Sequence, residues 1–192
     1  MFVSSISREE LHQLPLGQFN GRIHIIEKTA QVNRVCKSLS KEPILGFDTE
    51  TKPSFKKGSS NRVSLLQLAT STDAYLFRLH TTGLPKVLLK ILSNPKIIKA
   101  GIAIHDDIRH LTSVSQFNPS GFIELQKLVK EYGIENSGLS KLTGIILNFR
   151  ISKSQQLSNW EHEVLTEAQQ CYAATDAWAA YEIYKRLTEL TI

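Results

Sequence analysis

The feature that most constrains this chain is an apolar run that ends in two alternating acids. Residues 44–47 read Ile-Leu-Gly-Phe, a proline precedes them, and Asp48, Thr49 and Glu50 follow. Such a run is typical of a central β-strand that leaves a core and reaches the surface. Because side chains alternate along a strand, Asp48 and Glu50 are predicted to share one face of the sheet, with Thr49 on the other.

Two carboxylates held side by side near a core repel each other and resist being ionised together. A divalent cation removes this cost and keeps both acids deprotonated. The alternative is a strand that ends in solvent with two ordinary surface acids, which an isolated Asp-x-Glu pattern does not exclude. The other acids of the chain therefore decide between a metal site and a solvated strand end.

Size and composition place the chain among globular proteins. It has 192 residues, of which 41% are hydrophobic and 21% charged, and this predicts a single domain over residues 1–192. No apolar run approaches the ~18 residues of a membrane span, so no membrane association is expected. Cys36 and Cys171 have neither metal-ligand nor disulfide-framework spacing, which favours a cytoplasmic location.

The formal net charge of +5 suits a polyanionic substrate. Lysines and arginines around an acidic site would supply phosphate contacts and steer the encounter with nucleic acid. The alternative is that these charges are only solvated. Charge alone therefore permits nucleic-acid binding without establishing it.

The hydrophobic pattern predicts an α/β domain on a mixed five-stranded sheet whose first three strands are antiparallel. Strands are expected at 22–26, 44–50, 62–69, 74–79 and 97–102. Helices are expected at 8–14, from 29 to about 39, at 84–92, up to 132, after 140 and at 166–190. Capping patterns indicate helix starts at Ser7, Thr29 and Thr166-x-x-Gln169, and Pro85 is expected in a first helical turn.

The final predicted helix carries a second candidate acid. Tyr172 and Asp176 are four residues apart and share a face, and the small residues Ala173 and Ala174 would let the helix approach the sheet closely. Aspartate has poor helix propensity, so its place in mid-helix requires a reason. The alternative is a tyrosine and an aspartate on a solvated face.

A third candidate acid follows the strand at 97–102. Two aspartates stand there, where a helix is expected to begin, and one of them would cap that helix. Asp106 is assigned the capping role and Asp107 the functional one, while His105 is interpreted as a turn residue.

In this order, the acids Asp48, Glu50, Asp107 and Asp176 resemble the motifs of the DEDD superfamily of 3′–5′ exonucleases. Tyr172, four residues before the last acid, marks the DEDDy branch. The residues around these motifs are similar to those of the ribonuclease D and Werner-syndrome exonuclease group. The other matching segments are Val63-Ser64-Leu65-Leu66-Gln67-Leu68, Lys99-Ala100-Gly101-Ile102, Leu157-Ser158-Asn159-Trp160 and Leu165-Thr166-Glu167. The resemblance covers residues 25–188 and implies a ribonuclease H-like fold with helices on both faces of the sheet.

The resemblance implies hydrolysis of the terminal phosphodiester at a DNA or RNA 3′ end, with release of nucleoside 5′-monophosphates. It implies two divalent cations, Mg²⁺ or Mn²⁺, held by hard carboxylate oxygens. Asp48, Glu50 and Asp176 would hold the first ion, Asp48 would bridge to the second, and Asp107 would support that ion. Tyr172 would orient the attacking water, with proton abstraction possible if the metals lower its pKa.

Substrate contacts are predicted around these acids. Basic residues are candidates for backbone phosphates: Lys52, Lys56, Lys57, Arg62, Arg150 and Lys153. Phe55 or Trp160 is a candidate for base stacking, although Trp160 would alternatively anchor the loop before the last helix. Thr49 and Thr51 are included among substrate contacts, and Leu65 and Gln67 are predicted to line the nucleotide pocket.

The expected partner is the 3′ end of single-stranded or frayed DNA, with RNA an open alternative. An RNA-trimming exoribonuclease of the ribonuclease D type differs through contacts to the 2′-hydroxyl, which one sequence does not reveal. A non-catalytic nucleic-acid-binding module and an endonuclease of the same broad fold also remain open. The sequence makes no prediction of oligomeric state.

Overall fold

The computed structural model describes residues 2–52 and 62–189, and its centre is a six-stranded mixed sheet. The strands are β1 (Arg22–Ile26), β2 (Ile44–Thr51), β3 (Val63–Ala69), β4 (Asp73–Arg78), β5 (Ile98–Gly101) and β6 (Phe122–Glu124). Their spatial order is β1-β4-β3-β2-β5-β6. Strands β2, β3 and β4 are antiparallel neighbours, whereas β1 pairs with β4, β5 with β2 and β6 with β5 in parallel. The strand that carries the acids therefore lies inside the sheet.

Helices cover both faces of the sheet, as the resemblance implies. They are α1 (Arg8–Gln13), α2 (Thr29–Leu39), α3 (Leu79–Thr82), α4 (Lys86–Leu92), α5 (Ile104–Val114), α6 (Leu125–Leu128), α7 (Leu139–Leu142) and α8 (Glu167–Glu189). A 3₁₀ turn (Val129–Tyr132) continues α6 and a π turn (Thr143–Leu147) continues α7. No helix of the described ranges is long and apolar enough to cross a membrane.

One face of the sheet packs against α2, α4 and α5. Phe47 of β2 lies in this core, and Leu39, Leu88 and Leu111 from the three helices are fully buried beside it. Burying a leucine side chain contributes about 1.5–3 kcal/mol to folding. This core fixes β2 from the side that does not carry Asp48 and Glu50.

The other face packs against α8, and small residues allow a close approach. Ala173, Ala174 and Ala177 are fully buried on this helix. A Cβ atom at Gly46 of β2 would collide with the backbone carbonyl of Ala177. The prediction that alanines let the last helix approach the sheet is therefore confirmed, and the approach brings Asp176 to the acid-bearing strand.

The sheet differs from the prediction in two respects. It has six strands rather than five, because Phe122–Glu124 pairs with β5 at the edge; a three-residue, half-buried strand leaves almost no periodic signal. The first three strands of the chain are also not mutually antiparallel. The connection through α2 carries the chain from β1 at the edge to β2 in the interior, so β1 joins β4 in parallel.

Of the three helix starts that capping patterns indicate, two are confirmed. Ser7 accepts a hydrogen bond from the Glu10 amide, and Glu10 accepts one from the Ser7 amide. Thr166 and Gln169 exchange the same pair of bonds before α8. The cap at Thr29 is wrong: Lys28 occupies the cap position, and the Gln31 side chain accepts from its amide.

Candidate active site

Three of the predicted acids meet where β2 passes under α8. Asp48 and Glu50 stand two residues apart on β2, and Asp176 lies on the buried face of α8. One carboxylate oxygen from each lies within 4.8 Å of the other two. The alternation of β2 and the close packing at Gly46 are what bring these oxygens together.

The environment of the β2 acids disfavours their negative charge. Burial raises the pKa of Asp48 well above its ordinary value, and the charges of Asp176, Glu50 and Asp107 raise it further. Burial raises the pKa of Glu50 to about 8, and the charges of Asp176 and Asp107 add to the effect. Among the described residues, no positive charge therefore lies close enough to stabilise both carboxylates in the ionised state.

The environment of Asp176, on the helix side of the site, also disfavours a negative charge. Its residue is 7% exposed, and burial raises its pKa to about 7, although the Tyr172 hydroxyl and the charge of Lys153 lower it. Its Oδ1 atom is buried and has no hydrogen-bond partner among the described residues. A buried, unpaired carboxylate oxygen costs about 1–3 kcal/mol, so this atom is suited to an external ligand.

Asp107 lies beside this group rather than in it. It is the fourth residue of α5, and its carboxylate accepts a short hydrogen bond from the Thr49 hydroxyl of β2. Burial raises its pKa, and the bond from Thr49 opposes the shift. The Thr49 hydroxyl thus positions the Asp107 carboxylate, and its role as a substrate contact stays a prediction.

The start of α5 corrects one prediction and reveals a residue that sequence reasoning missed. Asp106 does not cap the helix; it is exposed and pairs with Arg109 at 3.1 Å. Glu124, at the end of β6, accepts hydrogen bonds from the amides of Ala103 and Ile104 at 3.0 Å each. The only sequence signal for Glu124 is an acid at the end of a very short strand.

Tyr172 lies one turn before Asp176 on α8. Its ring packs against the ring of Trp160 at 6.0 Å between centroids. Burial, followed by the charges of Asp176 and Glu50, raises the pKa of the phenol far above its ordinary value. The side chain is therefore a neutral hydroxyl next to three carboxylates.

A cavity of about 940 Å³ opens beside these acids, and we call it the acid cleft. Asp48, Glu50, Tyr172 and Asp176 line it together with residues of the loops before α7 and before α8. Its cationic lining residues are Arg8, Lys141, Arg150 and Lys153, with His12 as a further titratable group. Of the predicted phosphate contacts, Arg150 and Lys153 are thus beside the acids.

Three other predicted substrate contacts have buried side chains and stay predictions. Leu65 and Trp160 are fully buried in one small core with Leu165. Trp160 therefore anchors the loop before α8, as its alternative interpretation holds, and does not offer a face for base stacking. Gln67 is also fully buried. It is the cross-strand neighbour of Asp48 and therefore lies on the same face of the sheet, which α8 covers.

The remaining predicted contacts lie away from the lining of the acid cleft or outside the described residues. Lys52 forms an ion pair with Glu161 at 3.3 Å, and Arg62 is exposed next to β3. Thr51 is half-buried at an irregularity of the β2–β3 pairing. The predicted contacts Phe55, Lys56 and Lys57 fall in the range 53–61, which the structure does not describe.

A mixed sheet with helices on both faces, and carboxylates converging from its central strand and a crossing helix, defines a ribonuclease H-like nuclease domain. The comparisons with known proteins agree. The chain belongs to the 3′–5′ exonuclease family, whose model matches residues 23–192.

Individual relatives carry the same assignment. The bifunctional 3′–5′ exonuclease/ATP-dependent helicase WRN of Mus musculus is 35% identical over 79% of this chain and 11% of its own length. The crystal structure of the Aedes aegypti Nibbler EXO domain superposes with a TM-score of 0.81 and 26% identity, covering 92% of this chain and 94% of that one. The EXD2 exonuclease domain soaked in Mg and GMP superposes with a TM-score of 0.52 and 28% identity, covering 87% and 89%.

The matched curated relatives are longer proteins. The chain spans 11%, 29% and 25% of the length of the first three of them. The likeness therefore concerns the exonuclease domain that these proteins share.

Proposed function

We propose that this chain hydrolyses the terminal phosphodiester at the 3′ end of a DNA or RNA strand and releases nucleoside 5′-monophosphates. The observation that carries the proposal is the meeting of Asp48, Glu50 and Asp176 within 4.8 Å, with raised pKa values and an unpaired buried oxygen. Family membership supports the same reaction class.

The donor set fits two divalent cations, Mg²⁺ or Mn²⁺. All the ligands on offer are hard carboxylate oxygens, which these ions prefer, and the unpaired Oδ1 of Asp176 lacks a partner within the described residues. Asp48, Glu50 and Asp176 would hold one ion, and Asp48 with Asp107 the other. When bound, the ions would stabilise charge on the attacking and leaving oxygens of an in-line displacement. The EXD2 exonuclease domain was soaked with the same metal and a nucleoside monophosphate.

The side chains of the chain itself have separable tasks. Tyr172 holds the attacking water by a hydrogen bond through its hydroxyl, which both donates and accepts, and it would abstract a proton only if bound metal ions lower its pKa. Thr49 fixes the carboxylate of Asp107 from β2. Lys153 and Arg150, which line the acid cleft, neutralise the phosphates near the scissile bond.

The substrate strand is proposed to be single-stranded or frayed, because the terminal phosphodiester must enter a cleft beside Asp176. The described residues favour neither deoxyribose nor ribose. A panel of DNA and RNA 3′ ends digested side by side with this chain addresses that choice.

The central experiment uses a strand labelled at either end. With Mg²⁺ or Mn²⁺, the 3′ label should be released first as a mononucleotide, the 5′-labelled strand should shorten stepwise, and chelator should stop both processes. Asp48→Asn should abolish the release. A mobility shift without cleavage would instead establish a binding module, and cleavage of a circular strand would establish an endonuclease.

A further inference from the structure

The family match begins at residue 23, yet part of the acid cleft is built by residues that precede it. Helix α1 (Arg8–Gln13) contributes Arg8, Leu11 and His12 to the lining that also contains Asp48 and Asp176. We propose that Arg8 and His12 bind the phosphate backbone of a single strand, a few nucleotides from the scissile bond. This proposal rests on the proposed function, because it assigns a second contact to the same substrate.

The lining residues of α1 come from one face of the helix. Positions 8, 11 and 12 are spaced by three and four residues, so their side chains lie next to one another. The two acids of the helix are not in the lining: Glu10 folds back onto the Ser7 amide at 2.8 Å, and Glu9 is an exposed residue outside it. The helix therefore turns its basic groups to the cleft and its acids elsewhere.

The position of α1 is fixed by hydrogen bonds of the backbone on both sides of it, one of them to a side chain. The Ile6 amide donates to the Asn136 side chain at 2.9 Å, and the Glu135 amide donates to the Ser4 carbonyl at 2.8 Å. After the helix, the Gly17 amide donates to the Arg150 carbonyl at 2.9 Å. A six-residue helix is unstable alone, so these ties are what hold its side chains at the cleft.

Packing beneath the helix points the same way. The nearest neighbours of a Cβ atom at Gly144 would be side-chain carbons of Leu11, Ile6 and Leu14, with Leu11 at 2.7 Å. Gly144 lies in the π turn after α7 and is buried. The absence of a side chain there lets α1 sit directly on the core, with Leu11 on its packed edge and Arg8 and His12 left beside the opening.

Arg150 links α1 to the basic part of the cleft. Its Nε atom donates to the Leu14 carbonyl at 3.2 Å, and its backbone amide donates to the Pro15 carbonyl at 2.9 Å. Its side chain also lines the acid cleft. The chain segment that ends α1 is thus bonded to a cationic residue of the cleft.

The charges of the acid cleft suit a strand better than a single nucleotide. Within the described residues, four permanent cations line the cleft, in addition to any metal ions at the acids: Arg8, Lys141, Arg150 and Lys153. A mononucleotide offers a single phosphate, whereas a strand offers one per nucleotide, and each cation can meet a different one. The expected ligand of Arg8 and His12 is therefore the backbone of a longer strand.

The experiment compares Arg8→Gln/His12→Gln with wild type on two substrates. One is a single strand of about 20 nucleotides, and the other is the p-nitrophenyl ester of thymidine 5′-monophosphate, which has a single phosphodiester and no further backbone. For the strand, KM should rise about 3- to 10-fold and kcat should hold. The slope of log K against log salt should become shallower by about 0.7 for each phosphate that the variant no longer binds. The short ester should be hydrolysed as by wild type.

Controls separate charge from structure. Arg34→Gln removes an exposed cation on α2 that does not line the cleft, and it should leave all constants unchanged. Arg8→Lys should bind the strand nearly as tightly as wild type, whereas Arg8→Gln should not. Thermal unfolding should confirm that the double variant is folded; if it is not, Arg8→Gln and His12→Gln are measured singly.

The outcomes distinguish this proposal from the proposed function. An unchanged KM for the long strand with active wild-type enzyme would overturn the role of α1 and leave the exonuclease assignment intact. If wild type hydrolyses neither substrate, the proposed function fails, and fluorescence anisotropy of the labelled strand in chelator still tests α1. Equal affinities of wild type and Arg8→Gln/His12→Gln in that measurement would overturn the proposal.

Discussion

Two aspartates of this protein are almost equally buried and yet have opposite electrostatics. Asp73, at the start of β4, is 8% exposed, and Asp176 of α8 is 7% exposed. Burial by itself raises the pKa of both. The net result is a pKa of about 2 for Asp73 and about 7 for Asp176.

Asp176 is the more strongly desolvated of the two, and the chain supplies them with different partners. Asp73 accepts hydrogen bonds from Arg22 at 3.0 Å and from the Thr72 hydroxyl at 2.7 Å, and His24 lies at 2.7 Å. Asp176 faces Asp48 and Glu50, and its Oδ1 atom has no partner in the described ranges. The protein satisfies the first carboxylate and leaves the second incomplete.

The comparison teaches how a structural charge differs from a functional one. Stability alone would select partners for every buried carboxylate, because an unpaired one is costly. A site that must bind a cation requires the opposite, since the ligand has to supply the missing charge. Asp73 is therefore a structural group beside the edge strand β1, and Asp176 is suited to a ligand.

The largest expected effect is that of Asp176→Asn. Hydrolysis should fall by at least about 1,000-fold, because a neutral amide does not replace a carboxylate as a ligand of Mg²⁺ or Mn²⁺. The same substitution removes one of three repelling charges. In chelator at neutral pH the variant should therefore be more stable than wild type by about 1 kcal/mol or more, as measured by urea unfolding.

These two results must occur together. A variant that is inactive but less stable than wild type would mean that Asp176 is already satisfied by the chain, and the contrast with Asp73 would disappear. Asp73→Asn serves as the matched control, since it changes an equally buried aspartate.

The second prediction concerns the pH dependence of wild-type stability without metal. Glu50 and Asp176 have folded-state pKa values of about 8 and about 7, above those of the unfolded chain. Their contribution to stability is thus fully present below the unfolded values and is lost as the pH rises through the folded ones. In chelator, the unfolding temperature should drop by about 5 °C between roughly pH 5 and pH 8.

Added Mn²⁺ should reverse this loss at the alkaline end, because it binds the deprotonated carboxylates of the folded state only. Differential scanning calorimetry over the pH range, with and without metal, measures both effects. A midpoint that is flat with pH in chelator, or one that Mn²⁺ leaves unchanged at high pH, would contradict the account of the acid cleft. Asp73 acts in the opposite direction and only at lower pH, where stability is lost as its carboxylate is protonated.

Much of the acid cleft could be predicted from sequence because each acid stands on a regular element. The alternation of β2 places Asp48 and Glu50 on one face, and the helical spacing of α8 places Tyr172 and Asp176 on another. The alanines of α8 predict that these faces approach each other closely. In the structure, the absence of a side chain at Gly46 makes room for the backbone of α8. The ribonuclease H-like fold with helices on both faces followed from the same order of motifs.

What could not be predicted depends on contacts between distant segments. Leu65 and Gln67 lie on a strand that reads as a possible pocket wall, but burial under α8 is a property of the packed sheet. Glu124 accepts hydrogen bonds from the first amides of α5 although it lies 20 residues further along the chain. No local sequence pattern predicts such a contact. Arg8 and His12 reach the acid cleft only because Gly144 lets α1 pack against the core.

The third prediction returns to the satisfied aspartate. Asp73→Asn should lower the free energy of unfolding by about 1 kcal/mol at neutral pH, since Asn accepts from fewer of the donors that surround the carboxylate. Arg22 is largely exposed, with 76% of its side chain accessible, so solvent limits the loss. Hydrolysis should stay within about twofold of wild type. A large drop in activity without unfolding would place Asp73 in the function as well.

The smallest effect is expected at Asp106, an exposed aspartate that lies outside the acid cleft. It is exposed, and its ion pair with Arg109 is exposed on both sides. Such a pair contributes about 0.5 kcal/mol or less, so Asp106→Asn should change stability and hydrolysis within error. Asp107→Asn, one residue further along α5, should reduce hydrolysis sharply, because its carboxylate is held by Thr49 near the acids. Assays of the two variants side by side test the choice between these adjacent aspartates. Equal losses of hydrolysis in both would show that an intact helix α5 matters, rather than the carboxylate of Asp107.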